Sequence, residues 1–137
     1  MFAAGLGVPL LAAVNSQFGQ FIGSPIAAVA VMLCVAFSTI VIIAVITSNL
    51  PIKQISEAPK YLFLAGMLIV FYILSITTIA PKFGVGNAVF FVLVGQLVSA
   101  AIIDHFSLFG STGSPLTIVR TLGISVMALG VWITQQA

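Results

Sequence analysis

The chain as a whole carries too little charge to cover a water-facing surface. Its 137 residues hold only two acidic and four basic side chains, 4% of the total. Soluble domains carry roughly 25% charged residues. With 61% hydrophobic residues and a mean hydropathy of +1.33, the chain has the composition of a protein dissolved in lipid. Its apolar residues fall in runs of about 20, the length of a helix that crosses a bilayer. The expected fold is therefore all-α, an integral membrane bundle of five transmembrane helices forming a single transmembrane domain over residues 1–137. The net charge of +2 is too small and too scattered to indicate a nucleic-acid partner. The one cysteine, Cys34, lies inside an apolar run, so no intrachain disulfide can form.

Helix-start chemistry divides the chain. The first span covers about 2–21; it has no positive flank, and four comparable runs follow, so it reads as a spanning helix rather than a signal peptide. Ser24-Pro25 is an N-cap followed by proline at the first helical position, opening a second span over 25–47 that stops before Asn49-Leu50-Pro51. The polar PIKQISEAPK stretch is expected to be a loop. Ser56, Glu57 and Pro59 open a third span, 57–80, ending at Pro81. A fourth runs over 85–105. Ser114-Pro115 repeats the start signal of the second and opens a fifth, 115–134, with Trp132 as an interfacial anchor. Connections this short make consecutive helices antiparallel neighbours.

Basic residues orient the chain. Lys53, Lys60 and Arg120 fall on one side and Lys82 on the other, which favours a cytoplasmic N-terminus in an inner or plasma membrane. The bias is three to one, and insertion both ways would allow an antiparallel homodimer.

In a bilayer the costly residues are the informative ones. The first span ends in Asn15, Ser16, Gln17 and Gln20, and the fourth carries Gln96 near its centre with Ser99 one turn on. An amide offers both donors and acceptors, which suits a polar, uncharged group. Asn15, Gln17, Gln96 and Ser99 are thus candidate solute-binding residues, with interhelical hydrogen bonding as the alternative use. Asp104 and His105 close the fourth span, and Arg120 lies near the start of the fifth on the same membrane side. An Asp104–Arg120 ion pair follows, with His105 beside it, serving as a clamp or a gate. Gly95 with Ser99, and Gly123 with Gly130, are spaced for close helix packing. Pro9, beside Gly5 and Gly7, is expected to kink the first span.

The chain has no phosphate-binding loop, no metal-ligand spacing and no nucleophile-and-base set, and no paired carboxylates fall at mid-membrane. It is read as a non-enzyme with no catalytic residues, no metal and no cofactor.

The stretch VGQLVSAAIIDHFSLFG, followed by a short turn and IVRTLGISVMALGVWI, resembles the YdcZ-type family of the drug/metabolite transporter superfamily. Gly95-Gln96, Asp104-His105-Phe106, and Arg120 with Gly123 are its most specific pieces, and Asn15, Pro25 and Pro81 agree with it. Ser107 stands where the resemblance leads one to expect glycine. The resemblance implies a unit similar to half of a ten-helix transporter, with two copies, or a paired paralogue, completing a pathway. Small multidrug relatives use a glutamate on their first helix for proton-coupled cation export. The first span here has no acid, so that mechanism does not carry over.

The leading reading is a secondary transporter or facilitator of a small metabolite, working as a dimer by alternating access. A non-transporting membrane subunit of some partner protein and a passive channel are the alternatives.

Overall fold

The computed structural model describes residues 1–47, 51–110 and 116–136, without the side chains of residues 52 and 53. Among these residues the chain is helical with no strand. Its α-helices are α1 (Phe2–Phe21), α2 (Pro25–Ile46), α3 (Ile52–Glu57), α4 (Leu64–Phe83), α5 (Val85–His105) and α6 (Ile118–Thr134), with 3-10 turns at Lys60–Phe63 and Leu108–Gly110. Four helical stretches are long and apolar enough to cross a membrane: α1, α2, Lys60–Phe83 and α5. At 17 residues α6 is about 26 Å long, just short of the hydrocarbon thickness.

Several boundaries differ from those expected. The PIKQISEAPK stretch is not a plain loop, because Ile52–Glu57 forms its own short helix. Ala58 and Pro59 then take extended backbone, as a residue before proline prefers, and regular α-helix resumes only at Leu64. The third span therefore starts later than Glu57. It also runs through Pro81 to Phe83. A proline in the last turn removes one N–H but leaves the following bond intact, and Gly84 donates to the Ala80 carbonyl at 2.9 Å. The stop comes at Gly84, whose φ of 90° only glycine adopts readily. At the start of α6 the N-cap is Thr117, whose hydroxyl accepts from the Arg120 N–H at 3.2 Å. Asn49, Leu50, Ser114 and Pro115 lie outside the described residues. Ser24 caps α2 as its sequence suggests, accepting from the Ala27 N–H. Pro9 is carried inside an unbroken α1.

The chain divides into two compact units, Met1–Val85 and Gly86–Ala137. In the first, α1, α2 and α4 pack together. Ala12, Asn15, Ser16 and Gly19 on α1 and Ile73, Ile76, Thr77 and Ala80 on α4 are buried, two stripes at the i, i+3, i+4, i+7 spacing of a single helix face. Ala28 and Val29 complete this core from α2. Small side chains dominate because lipid offers no hydrophobic drive toward a protein core, and close backbone approach replaces it. The tightest approach is at Gly19. A Cβ there would lie 3.3 Å from the Pro25 Cα, 3.5 Å from Thr77 Cγ2 and 3.7 Å from the Ala28 Cβ. At Gly95, Gly123 and Gly130 a Cβ would meet none of the described residues within 4 Å, so the close contact within the chain is not at the glycines that the spacing singled out.

In the second unit α5 and α6 run antiparallel. The Gln135 side-chain amide donates to the Asn87 side-chain carbonyl at 3.0 Å, while Arg120 reaches Asp104 at the opposite ends of the two helices. After α5 the chain turns through Ser107, with a φ of 49°. That is left-handed backbone, where the helix C-terminus favours glycine.

Candidate functional site

The buried polar residues among those described are Asn15, Ser16 and Thr77, all in the first unit and 5%, 3% and 1% exposed. The Asn15 Nδ2 donates to Thr77 Oγ1 at 2.7 Å, joining α1 to α4 across 62 residues of sequence. Each member of the pair lines a different hollow. Asn15 is the polar member of a lateral groove of about 400 Å³ lined by Leu11, Val14, Phe18, Val31 and Met32 among others. Ser16 and Thr77 are the buried polar residues that line a cleft of about 280 Å³. Gln20, Thr78 and Lys82 also line it, with Gly19 and Gly23. The cleft lies where α1 and α4 end and α2 begins, so α1 and α4 present their C-termini to it and α2 its N-terminus.

Of the candidate binding residues, Asn15 is the buried one. Gln17 is exposed, beside Val14, Phe18 and Phe21 around a shallow hollow of about 360 Å³. Gln96 and Ser99 lie in the second unit, exposed on α5, and neither side chain makes a hydrogen bond among the described residues. Asn15 thus has a hydrogen-bonded partner within the chain, and Gln96 and Ser99 present free polar groups.

In the second unit Arg120 Nη2 lies 2.7 Å from Asp104 Oδ2, with about a third of each side chain exposed, 30% and 34% respectively. A pair this open to its surroundings contributes modestly, on the order of 1 kcal/mol or less. The His105 Nδ1 accepts the Leu116 N–H at 3.2 Å, which requires an unprotonated Nδ1 and leaves the proton on Nε2. Its ring meets Phe106 edge-on, centroids 4.8 Å apart. Asp104 and His105 together tie the end of α5 to the chain entering α6. The Asn87–Gln135 bond at the other end of the hairpin has no counterpart in the sequence reading. Two terminal amides 48 residues apart give no local signal of pairing.

Among the described residues no group of histidine, cysteine, aspartate and glutamate could hold a metal ion. The site chemistry on offer is hydrogen bonding and one ion pair, inside helices that are otherwise apolar.

Comparison with known proteins places this arrangement. Residues 1–133 match the pattern of a family described as "Putative inner membrane exporter, YdcZ". The chain belongs to the YdcZ family. No curated protein and no solved structure matches it. Membership covers nearly the whole chain, so both units are part of what the YdcZ family shares. The family's description and the four apolar helices support a multi-pass inner-membrane protein of the transporter class.

Proposed function

We propose that this YdcZ-family chain is a secondary transporter or facilitator of a small polar metabolite, acting as a homodimer by alternating access. On this reading α6 is a fifth span, the chain corresponds to half of a ten-helix transporter, and its N-terminus faces the cytoplasm. The observation that carries the proposal is the polar set Asn15, Ser16 and Thr77 buried inside apolar helices of an exporter-family chain. Polar groups at such depth are costly unless paired or facing a pathway. Gln96 and Ser99 add an unpartnered amide and hydroxyl, groups that a solute or a second copy would satisfy. Asp104 and Arg120 hold the cytoplasmic end, as a clamp that opens and closes with the cycle.

Efflux from solute-loaded proteoliposomes tests this. Gln96→Ala is expected to lower the initial rate about tenfold, the effect of one hydrogen bond lost to the bound solute. Asp104→Asn is expected to slow transport without weakening solute binding. Mixing wild type with an equal amount of Gln96→Ala protein should cut the rate per wild-type chain to about half, because only wild-type pairs stay fully active. An unchanged rate for Gln96→Ala removes that residue from the pathway, and strict proportionality on mixing removes the dimer.

A further inference from the structure

We infer that the cleft where α1 and α4 end and α2 begins is a binding site for a small oxyanion, a carboxylate or phosphate group, held by Lys82 together with the hydroxyls that line it. The inference rests on the transporter reading for its physiological meaning and names the class of solute that the same polar set would take.

The first support is the hydrogen-bonding inventory. Ser16 is 3% exposed and its hydroxyl has no partner among the described residues. No buried side-chain oxygen or nitrogen among the described residues is left unsatisfied, so the Ser16 hydroxyl reaches open space, and the space beside it is the cleft. Thr77 uses its oxygen to accept from Asn15, which leaves its O–H free to donate. Thr78 is different. Its hydroxyl is spent on the Leu74 carbonyl at 2.8 Å. Among the residues that line the cleft, the unspent donors are therefore the hydroxyls of Ser16 and Thr77, the amide of Gln20 and the ammonium of Lys82. A ligand that satisfies four donors must be rich in acceptors.

The second support is charge. No acidic residue lines the cleft, and Lys82 makes no ion pair among the described residues. A cationic solute would meet a like charge there. An anion would complete a charge-assisted hydrogen bond with the Lys82 ammonium. Volume sets the size. A cleft of about 280 Å³ falls at the bottom of the range for small-molecule sites, which suits a metabolite of a few heavy atoms better than a bulky drug. The close approach at Gly19 fixes α1 against α2 and α4, so the buried Ser16 and Thr77 are held in place before a ligand arrives.

The same chemistry could come from a free solute or from a lipid headgroup, since the cleft opens where the helices end. Purified protein in phosphatidylcholine nanodiscs separates the two. In one arm, thermal unfolding is followed as sodium acetate, succinate or phosphate is titrated against sodium chloride at equal ionic strength. In the other, phosphatidylglycerol is added to the discs with no free oxyanion. The expected result is a saturable rise in unfolding temperature. Its midpoint should weaken about tenfold in Lys82→Gln and about threefold in Ser16→Ala, stay in place in Lys60→Gln, and be largely kept in Lys82→Arg. A Lys82-dependent rise in the first arm assigns the site to a free anion, and one confined to the second assigns it to a headgroup. Both uphold oxyanion recognition. No saturable effect in either arm, or equal effects in Lys82→Gln and Lys60→Gln, overturns it. Binding is read here without transport, so the transporter reading can stand while this assignment falls.

Discussion

Asn15 could be read from the sequence and Thr77 could not, for a physical reason. An amide in an apolar helix has no cheap local partner, so it announces itself. A hydroxyl usually bonds back to its own helix, as Ser38, Thr39, Thr47 and Thr78 do here. Only the packing of α1 on α4 distinguishes Thr77 from Thr78. Gly19 was hidden for a similar reason, because small residues are common in membrane helices and spacing does not show which ones are touched. Its contacts make a definite prediction. Gly19→Leu should destabilise the protein by about 1–3 kcal/mol, the cost of forcing a side chain into a filled space. A Cβ at Gly66 would meet no described residue within 4 Å, so Gly66→Leu should cost far less. Unfolding temperatures of the two variants in detergent decide it, and equal values would mean that α1 does not pack on Pro25 and Thr77 as described.

At the scale of elements, a boundary was legible where its whole signal acts within one turn, and the starts of α4 and α6 were not. Ser24-Pro25 was legible because cap and proline act within one turn. Pro81 misled, since proline weakens a helix without always ending it, and the actual stop uses the left-handed freedom of Gly84. The end of α5 shows the converse. Ser107 stands where glycine was expected and holds a φ of 49°. Left-handed backbone costs a residue with a Cβ about 1–2 kcal/mol, part of which glycine returns through its freer unfolded chain. Ser107→Gly should therefore raise stability by about 0.5–1 kcal/mol, read as a higher unfolding temperature in detergent. A fall would show that this turn does not need left-handed backbone. The Asp104–Arg120 pair next to it was legible because a membrane helix end offers an arginine few acids to choose from.

For the molecule as a whole, the scarcity of charge was the strongest signal. It dictated lipid as the solvent and helices as the fold, and family membership over residues 1–133 adds the transporter class. How the chain completes a pathway is not written in any local pattern, because the groups that would line it sit in two separate units, Asn15 in one and Gln96 in the other. The central claim is that these groups carry a solute by alternating access. Counterflow in proteoliposomes tests it most directly, using a panel of radiolabelled amino acids, sugars and organic acids. A carrier should accumulate labelled solute transiently against unlabelled solute inside, with initial rates that saturate. Uptake that rises linearly without counterflow, or no uptake above protein-free vesicles for any member of the panel, would contradict it.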